Sequence, residues 1–230
     1  MSDVLEKNSA LDLSSMTVRE VNRMLKDADN GDFDIYNPNG LHALACGLMK
    51  PISATIHGHV GYYCAGMNQH AVVTVTGNAG TGCAENMMSG LVRVKGDASQ
   101  SAGATAHGGL LVIEGDASAR CGISLKGADI VVGGSVGHMS AFMAQAGSLV
   151  VAGDAGEALG DSIYEAKLYV RGSVASLGTD CIEKTMTDKH KTALSGLLER
   201  AGMDIDVSEF KRYGSARELY NFKIDNAGSY

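Results

Sequence analysis

Cut every nineteen residues, positions 73–167 read VTVTGNAGTGCAENMMSGL, VRVKGDASQSAGATAHGGL, LVIEGDASARCGISLKGAD, IVVGGSVGHMSAFMAQAGS and LVVAGDAGEALGDSIYEAK. Glycine holds the fifth place of each line. The same glycine recurs as Gly58, Gly77, Gly96, Gly115, Gly134, Gly153 and Gly172, always 19 residues apart and with no insertion. Taking it as column zero, column −2 holds Ile56, Val75, Val94, Ile113, Val132, Val151 and Val170. Column −4 holds Val73, Val92, Leu111, Ile130, Leu149 and Leu168. Column +2 holds Val60, Ala79, Ala98, Ala117, Val136, Ala155 and Val174. These columns differ by even steps, so along an extended chain they share one face. Column −3 between them is mixed: Thr74, Arg93, Val112, Val131, Val150, Tyr169. One face is therefore buried and the other variable.

A unit of this length cannot bury its own apolar face and must stack on its neighbours. It is too short for a strand plus a crossover helix. Small residues at columns 0, +3, +7 and +13 predict tight corners. The expected fold is an all-β solenoid: a right-handed parallel β-helix of about seven 19-residue coils over residues 52–184, each coil with three short strands and three corners. Coils about 4.8 Å apart would make a rod on the order of 34 Å long. Leucine-rich repeats, a six-residue left-handed helix and propeller blades all need other periods.

The flanks differ. Residues 1–51 form an N-terminal segment in which Thr17-Val-Arg-Glu20 is a capping-box pattern, with Val18, Val21 and Leu25 behind it. This predicts a helix over about 17–28. Asn37-Pro-Asn-Gly40 predicts a turn. Residues 185–230 form a C-terminal segment with a helical stripe of Leu194, Leu197, Leu198 and Ala201 stopped at Gly202. A second capping-box pattern, Ser215-Ala-Arg-Glu218, precedes Leu219 and Tyr220. An open β-helix exposes backbone edges at both ends, so the flanking helices are expected to be end caps.

Composition narrows the partners. Thirty glycines against two prolines, without a three-residue period, exclude collagen, and an apolar share of 45% excludes a disordered linker. A formal charge of −7 argues against nucleic acid and anionic membranes. The first residues show no secretory signal, and no apolar run is long enough to span a bilayer. Cys46, Cys64, Cys83, Cys121 and Cys181 never form CxxC and are expected to be free thiols in a cytoplasmic protein.

Chemical motifs are sparse. No Walker A occurs, and no strand-anchored GxGxxG. Pairs such as Gly58–Gly61 recur because the coil recurs, which disfavours a phosphate cradle. His57-Gly-His59 has no acidic or thiol partner nearby in sequence, so a structural role is preferred over a metal or acid–base one. Cys64, Cys83 and Cys121 share column +6 with Ala102 and Ser140. They read as a small-residue ladder; a Cys64–Cys83 bridge is geometrically thinkable, and a flat ladder offers no cage for an iron–sulfur cluster. Column +1 carries His59, Asn78, Asp97, Asp116, Ser135, Asp154 and Ser173. These are expected to hydrogen-bond local backbone rather than hold a cation. Lys95 and Glu114 share column −1 and can pair across coils. No catalytic, cofactor-binding or metal residue is assigned. The unbroken period leaves no loop for a cleft.

The segments Gly58-His-Val-Gly61, Gly96-Asp-Ala-Ser99, Gly115-Asp-Ala-Ser118, Gly134-Ser-Val-Gly137 and Gly153-Asp-Ala-Gly156-Glu-Ala-Leu-Gly160 resemble the G-x-x-G-x-x-x-G repeats of the glutamate synthase C-terminal β-helix family. With the block GDSIYEAKLYVRGSVASLGTDC, the chain is most similar to the free-standing form of that domain, the GlxC-type β-helix chain of N-methylglutamate synthase. The likeness is strongest over residues 40–184. It implies a structural component of a multi-chain enzyme that converts L-glutamate and methylamine to N-methyl-L-glutamate and ammonia. The implied partners are an amidotransferase-like subunit and a synthase-like subunit, the latter carrying FMN and an iron–sulfur cluster. The family assigns the β-helix no catalytic residue, and position 2 here is Ser2, not a nucleophilic Cys. The repeats are also similar to the β-helix chain of formylmethanofuran dehydrogenase. A scaffold in that kind of complex is the alternative.

Overall fold

The 19-residue period becomes a physical step between stacked strands. The computed structural model describes residues 8–219, so Ser2 and Tyr220 lie outside the described residues. The strands are β1 (Asn8–Asp12), β2 (Gly31–Tyr36), β3 (Ile52–His57), β4 (Val72–Val75), β5 (Leu91–Val94), β6 (Leu110–Ile113), β7 (Lys126–Val132), β8 (Ala146–Val151), β9 (Lys167–Val170), β10 (Cys181–Lys184) and β11 (Lys211–Ser215). The helices are α1 (Val18–Asp27) and α2 (Asp188–Ala201). One 11-stranded sheet runs β1-β2-β3-β4-β5-β6-β7-β8-β9-β11-β10. Its pairs are parallel from β1 to β9, in register Val73↔Val92↔Leu111↔Ile130. The molecule is thus an all-β solenoid of about seven turns with two helices. Its sheet continues on the N-terminal side through β2 and β1.

Columns −4 and −2 point inward as expected: Val73, Val75, Val92, Val94, Leu111 and Ile113 are fully buried in one continuous core. Each such side chain stabilises by roughly 1.5–3 kcal/mol. Column +2 forms a second line of contact, as isolated parallel bridges from Val60↔Ala79 to Ala155↔Val174.

The third side of the coil differs from the expected strand. Columns +5, +7 and +9 turn through positive φ at alternate residues: Tyr63, Ala65 and Met67 in one coil, Arg120, Gly122 and Ser124 in another. Their amides point alternately to the two neighbouring coils: Tyr63 N–H donates to Thr81 O, Ala65 N–H to Leu44 O, Met67 N–H to Glu85 O. The backbone is thereby satisfied in a curve too tight for a regular strand. Column-zero glycine has positive φ only at Gly58 (φ +131°); from Gly77 to Gly172 it has another cause than a left-handed corner. Gly115 has ordinary negative φ; an added Cβ there would come within 2.9 Å of Gly96 O in the coil below, and closer still to Asp97 Oδ1. Close coil-to-coil approach, not φ, excludes a side chain.

Helix α1 is an end cap. Thr17 and Glu20 form the capping box. Val21 and Leu25 enter the solenoid core. The Asn22 carboxamide donates to Ala43 O and accepts from Ala45 N–H, as the peptide of a further coil would. Helix α2, capped by left-handed Gly202, is not an end cap. It lies on the outer flank of the sheet, where Leu194, Leu197, Leu198 and Ala201 pack against Val112, Val131, Val150 and Tyr169. The C-terminal end is closed instead by β11, which pairs antiparallel between β9 and β10. Ser215-Ala-Arg-Glu218 begins no helix among the described residues. Ser215 ends β11, and Asp180 accepts from the Ser215 hydroxyl and the N–H groups of Glu218 and Leu219.

Candidate functional site

The two residues of the His57-Gly-His59 motif do separate work. His57 Nε2 lies 2.6 Å from Asp34 Oδ1, and its ring stacks on Tyr36 at 4.6 Å. Asp34 is the acidic partner the sequence reading missed, because it sits on β2, outside the 19-residue period. His59 Nδ1 accepts from Asn78 N–H at 2.9 Å. Among the described residues no group of three or more His, Cys, Asp or Glu could hold a metal ion.

Column +1 makes a ladder rather than local turns. Asp97 N–H donates to Asn78 Oδ1, Asp116 N–H to Asp97 Oδ1, and Ser135 N–H to Asp116 Oδ1. Asp154 N–H donates to Ser135 Oγ, and Ser173 N–H to Asp154 Oδ1. Each side chain thus accepts from the next coil. The Ser173 N–H and hydroxyl hold the Asp154 carboxyl below its usual range. Glu114 pairs with Arg93 at 3.0 Å rather than with Lys95. The Arg93 guanidinium also donates to Ala201 O, fastening α2 to the sheet. The Gly58 and Gly61 amides are already engaged, by Thr76 Oγ1 and Leu41 O, so they cradle no phosphate.

All five cysteines are free and buried. Burial raises the thiols of Cys83 and Cys121 to about 12, and Cys64 well above its ordinary value. Such thiols stay protonated and are poor metal ligands or nucleophiles.

What the fold leaves for function is flank. The outer face of the sheet over β3 and β4 carries Ser53, Thr55, Val72 and Thr74, with no covering helix among the described residues. Beside it, at the corner of the first coils, His42 stacks on Tyr62 at 3.9 Å. Tyr62 remains 54% exposed, and Tyr36 and Leu41 are exposed too. Exposed aromatics of this kind are common anchors of protein interfaces. At the other end, Lys167, Lys184, His190, Arg212, Arg217 and Glu165 line a concave pocket that no sequence motif announced, because they come from separate segments. No helix is long and apolar enough to cross a membrane among the described residues.

No family model matches the chain. It is 60% identical over 225 residues to protein GlxC of Rhizobium meliloti (strain 1021), covering 96% of this chain and 99% of that protein. The chain belongs to the GlxC family.

Proposed function

We propose that this GlxC-family chain is the non-catalytic structural β-helix subunit of an FMN-dependent glutamate-synthase-like complex. The reaction of the complex would be L-glutamate plus methylamine to N-methyl-L-glutamate plus ammonia. The observation that carries this reading is the uninterrupted stack of coils from Gly58 to Val174, whose inter-coil bonds repeat at every step. Such a stack presents rigid flank rather than a catalytic cleft. The resemblance to the glutamate synthase β-helix supplies the chemistry of the complex.

The thiols present do not fit an iron–sulfur cluster. An iron–sulfur cluster needs converging thiolates; here the thiols are buried and their pKa values raised. In this reading FMN and the cluster belong to the synthase-like partner, as the resemblance implies, and a separate amidotransferase-like partner completes the set. This chain's part is to fix the distance and orientation of the two, so that a small amine or ammonia passes between their sites without escaping. A permanent assembly of this kind buries well above roughly 2,000 Å². Tyr62, Tyr36 and Leu41 are the anchors proposed for one of the partners.

The test is reconstitution. The purified chain alone should be colourless and inactive, and the three subunits together should bind FMN and form N-methylglutamate. Omitting this chain should abolish assembly and turnover. Unchanged assembly and turnover without it, or flavin retained by the lone chain, would overturn the reading.

A further inference from the structure

The pocket at the C-terminal end gathers charge from four elements. Lys167 begins β9, Lys184 ends β10, Arg212 lies on β11 and His190 in the first turn of α2, with Arg217 just beyond β11. The pocket holds about 330 Å³, within the range of small-ligand sites. The chain has 26 acidic residues against 19 basic ones, yet among the described residues here four cations face one carboxylate. That carboxylate, Glu165, is already paired with Arg217 at 2.7 Å. Three cations remain for an incoming group.

Each of the three has donors to spare. Lys184 Nζ uses one on Ser215 O, and Arg212 Nε donates to Thr185 O. An ammonium carries three donors and a guanidinium five. Lys167 makes no ion pair among the described residues. The Thr187 N–H donates to His190 Nδ1 at 3.3 Å, so the neutral ring carries its proton on Nε2 and offers a further donor. The field in the pocket shows in His190 itself. Burial first, then the charges of Arg212, Lys167 and Lys189, hold its imidazole below the ordinary value. Convergent cations and neutral donors in one concave site are the recognition chemistry of clustered anionic oxygens.

We infer that this pocket binds a small oxyanion, bearing a phosphate or paired carboxylates, on Lys167, Lys184 and Arg212 with the neutral His190 as donor. The site does not depend on the structural role proposed above, since it lies on this chain alone.

The experiment is an NMR titration of the full chain at low ionic strength, where such contacts are least screened. Inorganic phosphate and glutarate are added in separate arms, with chloride as control, and the His190 ring signals report occupancy. Saturable binding of one of them is expected; the tighter of the two tells phosphate from dicarboxylate chemistry. Lys167→Gln should weaken binding by about tenfold, as loss of one charge-assisted contact implies. It makes no ion pair that the fold uses, so it should melt with the parent. Arg212→Gln should act in the same direction, and Lys95→Gln, far from the pocket, should leave affinity unchanged. Shifts that never saturate, that chloride reproduces, or that persist unaltered in folded Lys167→Gln would overturn the site.

Discussion

Strands β4 and β7 present the same inward side, Val73 and Val75 against Ile130 and Val132, but their outward sides meet different media. On β4 the outward Thr74 faces solvent. On β7 the equivalent Val131 is covered by α2. One repeat therefore serves two purposes along one rod. The C-terminal half commits its outer face to its own helix, and the N-terminal half keeps it open beside the exposed Tyr36 and Tyr62. Arg93 marks the boundary, reaching from the open side to Glu114 and Ala201. The difference marks the open flank that the structural role proposed above would use to receive a partner.

The sharpest way to break this contrast is a charge in each half. Val131→Asp places a carboxylate under α2 without a partner and should destabilise by about 3 kcal/mol or more. Thr74→Asp, at the same column in the open half, should stay within about 0.5 kcal/mol. Urea denaturation of the two variants decides it; equal losses would mean that α2 does not seal the C-terminal half.

Glycine columns give the next largest effect. Gly115→Val drives a branched side chain into the coil below and should cost roughly 2–3 kcal/mol. Gly122→Ala meets Ile130 Cδ1 only at 3.3 Å but sits at φ +68°, so it should cost about 1 kcal/mol from backbone strain alone. Thermal melts of the pair separate steric exclusion from conformational need. A smaller loss for Gly115→Val would reverse the assignment.

The period, the inward columns, α1 and α2 were legible because each rests on local spacing of apolar residues. The apolar run Val112, Val131, Val150, Tyr169 in column −3 was legible too, but averaged with Thr74 and Arg93 it passed for a merely variable face. It was the imprint of α2. The alternating left-handed side escaped because Tyr63, Arg120 and Met67 are not residues that announce positive φ. Only inter-coil bonding holds them there. The basic pocket escaped because its cations lie between positions 167 and 217 in no fixed spacing, and only β11, by inserting between β9 and β10, brings them together.

Acid should loosen the two ends unequally. Burial pushes the Asp180 carboxyl up, but the Ser215 hydroxyl and the N–H groups of Glu218, Leu219 and Arg217 pull it further down, to a net value below 3.8. The unfolded chain therefore takes up this proton first. The contribution of Asp180 is complete above that ordinary value and is lost as pH falls through the lower folded one. At the other end Thr17 also holds the Glu20 carboxyl of the α1 capping box low, but Glu20 secures only the first turn of that helix, and the Asn22 carboxamide that holds Ala43 and Ala45 does not titrate. Hydrogen exchange at descending pH should show β11 amides losing protection before Ala45 does, and simultaneous loss would count against it.

The smallest effect tests the covered half from within. Tyr169, on β9, is fully buried beneath α2, and its hydroxyl has no hydrogen-bond partner among the described residues. Burial raises its pKa above the ordinary value, so the group stays neutral. A buried hydroxyl without a partner is a desolvation loss that nothing offsets, and removing it leaves the ring's packing in place. Tyr169→Phe should therefore stabilise the chain by up to about 1 kcal/mol, read as a higher midpoint in urea at unchanged slope. The same change should alter phosphate or glutarate binding little, because Tyr169 is not among the residues lining the pocket, although it pairs across strands with Arg212, whose charge reaches the hydroxyl. A clear destabilisation would show that the hydroxyl is satisfied in solution, and that the seal under α2 is wetter than its apolar lining implies.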